Sequence, residues 1–344
     1  MKKTVTLVHK NCRRGCPLCA YGPADPVDYG VIADTAAKLM ERGYPVHLYD
    51  FHVNARSLDI FRLTGQFEGE NPEWLNVTSD FSPEGSDLDY VNSLNTTVVI
   101  SLHGSSREMH RQAGGTDDFD DIVRFIRSFH GRFALDLGIN YVVSRLNIDD
   151  IEDMMRFCEK ERAIGFVEFI PFGFAGNARH ALGRDAVLSL SDSWRAYSTI
   201  MSFHRKMPFH VELDACWGPD FEYNPGKKCW FFAKPLAGRF CNAGVNHVAL
   251  RMHDMKLFPC PCMIEMDELS TGSFDGGDLH IEGNWMEDPG MFGQPCNGCE
   301  LYGSCRGGCR IPAIIDSASG GGPVDRFAGF LRCLHVLGKN RQRL

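Results

Sequence analysis

The sequence predicts an α/β fold: an open, partial (β/α)6 barrel over residues 1–210, then a small cysteine-rich domain over residues 211–344. Three observations predict it. Through the first ~200 residues, β-rich runs alternate with helical patterns, the mark of repeated βα units. Six such units can be counted, too few for a closed eightfold barrel but enough for an open one. The fourteen cysteines are placed unevenly, with three in Cys12–Cys19, one at Cys158 and ten from Cys216 to Cys333.

The candidate strands are Thr4–Val8, Val46–Asp50, Trp74–Thr78, Thr97–Leu102, Leu135–Val143 and Phe166–Ile170. Two of the helices between them are well signalled. From Asp117 onward, Phe119, Ile122, Val123, Ile126 and Phe129 recur at helical spacing, acidic residues crowd the first turn, and Gly131 follows the end. After Asn147, read as an N-cap, Ile148, Ile151, Met155 and Cys158 share one face, and Gly165 closes the unit. Trp194 and Tyr197 stand three apart in a further helix expected after Asp192. Beyond about residue 210, Gly, Pro and Cys become dense and helical periodicity fades. A segment so poor in periodic apolar residues needs metal to hold a fold.

A net charge of −8, from 36 basic and 44 acidic residues, argues against a phosphate-backbone partner. The opening MKKTVTLVHK starts like a signal peptide, but its apolar run stops at His9 and Lys10. No stretch approaches the ~20 apolar residues of a spanning helix. A cytoplasmic location is expected, and in that reducing compartment clustered cysteines point to metal or redox chemistry.

The first cluster is Asn11-Cys12-Arg13-Arg14-Gly15-Cys16-Pro17-Leu18-Cys19, a C-x3-C-x2-C spacing on the loop after the first strand. Three thiolates can hold three irons of a [4Fe–4S] cube and leave the fourth iron open. The competing reading is a zinc site with His9 as fourth ligand. C-x3-C-x2-C after the first strand of a βα series resembles the radical S-adenosylmethionine (SAM) superfamily, over residues 4–205. The resemblance implies that the open iron chelates the amino and carboxylate groups of SAM, and that reductive cleavage yields a 5′-deoxyadenosyl radical. Val98-Val99-Ile100-Ser101-Leu102 is similar to the family's fourth strand, which implies that Ser101 contacts the methionine part of SAM. Asn140–Asn147 and Phe166–Pro171 resemble the fifth and sixth strands, which implies Asn147 and Pro171 as further SAM contacts, the latter by the adenine. Phe174–Arg179 resembles the segment after the sixth strand.

There are departures from the family pattern. Ala20 follows Cys19 where the family has an aromatic residue, and Tyr21, one place later, is the candidate cofactor contact there. The Gly-Gly-Glu-Pro motif of the second strand is replaced by Leu48-Tyr49-Asp50-Phe51, so Asp50 is the candidate acceptor of the SAM amino group. His103-Gly104 stands where Asp-Gly is common.

The second cluster is Cys296-x2-Cys299-x5-Cys305-x3-Cys309, then Cys333, with Cys241 and Cys260 upstream. It resembles the SPASM extension of radical SAM enzymes over residues 225–335, although Met255 replaces that pattern's glycine. The resemblance implies one auxiliary [4Fe–4S] cluster on Cys241, Cys260 and Cys309, and a second on Cys296, Cys299, Cys305 and Cys333. Cys229 and Cys262 are the candidates for the first cluster's fourth ligand. A pair of zinc ribbons is the alternative. Other residues take plainer readings. Cys158 is a buried hydrophobe, Cys216 a free core thiol, and Asp117–Asp121 a helix start rather than a metal site.

The function expected is hydrogen abstraction from a substrate carbon, on a peptide or protein side chain, by crosslinking, epimerisation or oxidation. A dehydrogenase or decarboxylase acting on a sugar or aminocyclitol is the alternative within the family, and a non-catalytic zinc scaffold the alternative outside it. Expected partners are the substrate, an electron donor such as flavodoxin or ferredoxin, and either a separate peptide-recognition protein or none. No fused N-terminal leader-binding domain is expected, because the first strand follows within a few residues of the first position.

Overall fold

The computed structural model describes residues 2–282, except 13, 23–26, 66–73, 95, 134–136, 174–175, 183, 204–205, 214–220, 225–228, 233–243 and 245. The chain opens with β1 (Thr4–His9), α1 (Tyr29–Glu41), β2 (Val46–Asp50) and α2 (Ala55–Thr64). There follow β3 (Leu75–Val77), α3 (Gly85–Ser93), β4 (Val98–Ser101), α4 (Arg107–Gly114) and α5 (Phe119–Phe129). Next come β5 (Leu137–Val143), α6 (Ile151–Lys160), β6 (Ile164–Pro171), α7 (Gly176–Ala181), α8 (Leu190–Phe203) and β7 (His210–Leu213). Six short strands complete the series: β8 (Phe221–Asn224), β9 (Cys229–Phe232), β10 (His247–Arg251), β11 (Lys256–Phe258), β12 (Gly272–Asp275) and β13 (Asp278–Ile281). All six expected strands are present, each shifted by no more than two residues at either end.

Strands β3 to β7 form one parallel ladder in sequence order, while β1 pairs in parallel with β2. The two ladders meet where Val53 N donates to Asn76 O at 3.2 Å, just past β2. On its other side β1 takes β10 as a parallel neighbour, and β11 to β13 continue antiparallel from there. Part of the cysteine-rich half is therefore sewn into the first sheet.

Strand alternation separates two faces. Val5, Leu7, Leu48, Ile100, Ile139, Tyr141, Val167 and Phe169 pack under the helices with Ile32, Leu39, Phe61, Ile126 and Met154. Each such side chain stabilises the fold by roughly 1.5–3 kcal/mol. Across β4 to β7 the other face carries a polar row in register: Ser101, Asn140, Glu168 and Glu212.

Helix ends follow their caps in part. Asp28 accepts from Gly30 N at 2.7 Å to start α1, and Asn54 and Ser57 form a capping box on α2. Two sequence expectations are corrected. Asn147 makes no cap bond, because a 3-10 turn at Ile148–Asp150 precedes α6 and its amide is engaged elsewhere. Gly165 does not close α6, which ends at Lys160; it lies inside β6. The face Ile148, Ile151, Met155 and Cys158 is buried as expected. Trp194 and Tyr197 stack within α8, which begins two residues before Asp192. Among the described residues, no helix is long and apolar enough to cross a membrane.

Candidate active site

Parallel strands gather their following loops at one end, and chemistry collects there. The loop after β1 carries Cys12, Cys16 and Cys19, all half-buried. It turns back on itself where Cys19 N donates to Cys16 O at 3.0 Å. The start of α7 clamps it: Ala178 N donates to Cys19 O and Asn177 N to Tyr21 O, both at 2.9 Å. That clamp requires glycine. Gly176 has φ 52°, and a Cβ there would lie 2.3 Å from the carbonyl carbon of Tyr21. On the other side Pro17 rests on Gly115, where an added Cβ would come within 2.4 Å of its ring.

Arg14, in the C-x3-C spacer, pairs with Asp118 at 2.6 Å. Asp118 also receives His110 Nε2 at 3.0 Å, and His110 Nδ1 accepts from His103 N at 3.1 Å. Burial pushes the Asp118 carboxyl up, but His110, Arg14 and Thr116 outweigh it and hold it well below the usual carboxylate range. His103 lies buried against His110, and its pKa is pushed down to about 3 by burial, then by the charges of His110 and Arg14. It stays neutral, and its Nδ1 accepts from Val142 N at 3.4 Å.

The thiols suit a thiolate-binding group. Burial pushes Cys19 up to about 12 and raises Cys16, and the charges of the neighbouring loop cysteines raise both further. Cys16 and Cys19 resist ionisation until a cation compensates them. Among the described residues, no three His, Cys, Asp or Glu side chains converge on a single ion. Three ligands to three different irons need no such convergence.

Tyr21 is half-buried, its ring 4.4 Å from that of Phe51 and 6.3 Å from that of Tyr49, and its hydroxyl lies 3.7 Å from Cys262 Sγ. Burial, then the Cys262 charge, holds its phenol well above the ordinary value. Cys260 and Cys262 flank Pro261 at the start of a 3-10 turn packed on these rings. Cys229 begins β9. Cys216, Cys241, Cys296, Cys299, Cys305, Cys309 and Cys333 lie outside the described residues.

Of the expected SAM contacts, Ser101 ends β4 beside Asn140 and Pro171 ends β6. Asn147 is fully buried. Its Oδ1 accepts from Ser144 N at 2.8 Å, and its Nδ2 donates to Val142 O at 2.8 Å and His103 O at 3.1 Å. It braces the turn after β5. Asp50 shares the face of Val46 and Leu48, toward α1 and α2. Its carboxylate accepts from Tyr29 Oη at 2.8 Å, His52 N at 3.1 Å and Ser57 Oγ, so the protein's own donors already occupy it.

Sequence reasoning missed a cleft of about 750 Å3 beside the thiol loop, walled by loops after β1, β2 and β3. His9, Asn11, Arg14, Tyr29, His52 and Asp118 are among its lining residues. Its one available signal was Asn11 and Arg14 inside the thiol motif. Asp118 had none, being 104 residues from Arg14 and already accounted for as a helix start.

No protein-family model and no curated protein matches the chain. Solved structures do. SuiB of Streptococcus suis bound to its precursor peptide SuiA superposes with a TM-score of 0.63 at 14% identity, over 94% of this chain and 74% of SuiB. The enzyme anSMEcpe with bound AdoMet gives 0.63 at 13% identity, over 98% and 96%. The same enzyme with AdoMet and the Kp18Cys peptide gives 0.58 at 14%, over 98% and 99%. The chain therefore shares the overall fold of SuiB and anSMEcpe.

Proposed function

We propose that this chain is a radical SAM enzyme that modifies a side chain of a peptide or protein. The observation that carries the reading is the C-x3-C-x2-C loop at the end of β1, clamped by α7 at the mouth of a parallel half-barrel. A [4Fe–4S] cluster on Cys12, Cys16 and Cys19 would supply the electron that cleaves SAM. The chain's own residues do the rest. Arg14 and Asp118 orient the loop, Ser101 and Pro171 receive SAM at the strand ends, and Asn147 holds the turn beside them. The peptide assignment draws support from SuiB with SuiA and anSMEcpe with the Kp18Cys peptide. In the cysteine-rich half, Cys241, Cys260 and Cys309 would hold one auxiliary cluster, with Cys229 or Cys262 as fourth ligand. Cys296, Cys299, Cys305 and Cys333 would hold another. Flavodoxin or ferredoxin would donate electrons.

The test is anaerobic reconstitution with iron and sulfide. About twelve irons per chain are expected, together with 5′-deoxyadenosine from SAM and dithionite. Replacing Cys12, Cys16 and Cys19 together by Ala should end SAM cleavage and leave the remaining iron in place. Zinc-rich protein that never cleaves SAM would return the zinc scaffold.

A further inference from the structure

The lining of the cleft holds three buried polar groups with an unanswered atom: His9 and Asn11 at its floor, and Arg14, which pairs with Asp118 but leaves Nε without a partner. His9 is 1% exposed, and neither ring nitrogen has a hydrogen-bond partner. Asn11 donates through Nδ2 to Tyr29 Oη and His52 O, both at 3.0 Å, but its buried Oδ1 accepts nothing. Both residues line the same cleft. Buried polar atoms are nearly always paired, so orphans gathered in one cavity call for a ligand.

The chemistry of that ligand follows from the groups around it. Asp50 Oδ2 lies 3.7 Å from His9 Nδ1, beyond hydrogen-bond range but close enough to favour the tautomer with its hydrogen on Nδ1. His9 Nε2 is then an acceptor, as is Asn11 Oδ1, so the part of the ligand that meets them must bring donors, while Arg14 Nε takes an acceptor elsewhere on it. Tyr29 keeps the arrangement rigid. Its hydroxyl donates to Asp50 and accepts from Asn11 and Asn54, and burial, then Asp50, pushes its phenol up to about 12. The lining carries Asp28, Asp80 and Asp118 against Arg14 and Arg56, a net −1. Asp50 behind His9 makes it −2. Water would satisfy two acceptors, but the surplus of carboxylate favours a cation. An ammonium has three donors, no acceptor and a positive charge.

We propose that this floor is where an ammonium group of the substrate docks, on His9 Nε2 and Asn11 Oδ1. The inference rests on the reading of the thiol loop as the reacting centre, and it deepens that reading by naming an amine-bearing substrate. The cleft volume lies within the range of small-ligand sites and admits a side chain with its head group. SAM itself carries an ammonium, so the test must separate the two sources.

The test uses the reconstituted full chain with SAM present and n-butylammonium as the probe, read by ligand-observed saturation-transfer NMR, with n-butanol as the neutral counterpart. Wild type should bind n-butylammonium saturably and at least tenfold more tightly than n-butanol. His9→Leu should weaken that binding at least tenfold while equilibrium dialysis shows SAM retention unchanged within twofold. Equal binding of n-butanol, or an ammonium signal that never saturates, would leave the floor to water and overturn the proposal. Loss of SAM retention in His9→Leu would assign the floor to SAM's own ammonium and overturn it equally. If His9→Leu fails to fold, the two probes on wild type decide. Binding is read without turnover, so failed SAM cleavage with intact amine preference would sink the enzyme reading alone. Intact cleavage without amine preference would sink this inference alone.

Discussion

The thiol loop and the cleft floor begin only three residues apart, at Cys12 and His9, yet they are held in different ways. The loop is gripped mainly by main chain: Ala178 N and Asn177 N on its carbonyls, Gly176 and Gly115 against its backbone and Pro17. The floor is held by side chains: Tyr29, Ser57 and Asn54 around Asp50, and Asn11 across to Tyr29. Main-chain grip fixes a shape whatever the side chains are, and so leaves the thiols free to serve as ligands. Side-chain grip fixes the orientation of particular donors and acceptors, and is suited to recognising a molecule. Variants in the two regions should therefore fail differently.

The largest effect belongs to the loop. The triple Cys12, Cys16 and Cys19 to Ala variant should lose all 5′-deoxyadenosine formation with an unchanged far-UV circular dichroism spectrum. Residual cleavage would detach the chemistry from this loop.

Gly176→Leu comes next, because it meets both a left-handed φ and the backbone of Tyr21. Left-handed strain and overpacking together predict a cost of roughly 2–4 kcal/mol. Urea unfolding should show that loss, and iron retention should fall with it. A stable variant that keeps its iron would mean that the α7 clamp is dispensable.

Asp50→Asn probes the floor. Tyr29, Ser57 and His52 N would keep an acceptor but lose its charge, a loss of roughly 1–3 kcal/mol by urea unfolding. Iron loading should stay at the wild-type level. If iron is lost as well, the two regions are one unit and the contrast fails.

Asp118→Asn tests the side-chain link between them, with an expected loss of about 1–2 kcal/mol at pH 5. The Asp118 carboxyl lies below its unfolded value of about 3.9, so its contribution is complete above about pH 4. It is lost as the pH falls through the folded value. Wild type and variant should accordingly converge in urea midpoint on acidification from pH 5 to pH 2. A gap that does not narrow between pH 5 and pH 2 would rule out the Arg14 and His110 contacts as its source.

Cys158→Ala should have the smallest effect, about 1 kcal/mol, without changing iron content. The thiol is 1% exposed on the apolar face of α6, and burial pushes it far from ionisation. Iron lost on this substitution would reclassify Cys158 as a ligand.

The sequence by itself determined what local pattern can encode. Alternation of apolar runs located all six strands, and spacing singled out the thiol loop, because pleat period and ligand spacing are properties of neighbouring residues. The family resemblance also picked out Ser101 and Pro171, which the structure places at the ends of β4 and β6. Tertiary structure alone decided the rest. Asp50 sits at the expected place on β2, but only the packing of α1 and α2 shows that Tyr29 and Ser57 already occupy its carboxylate. Asn147 reads as a helix cap, yet its amide closes on Ser144 and His103, because buried amide groups take the nearest full set of partners. Arg14 with Asp118, and Tyr21 with Cys262, join residues more than a hundred positions apart. Such pairings depend on which loops the parallel strands bring to one end. That is settled by how the sheets pack, not by any run of residues.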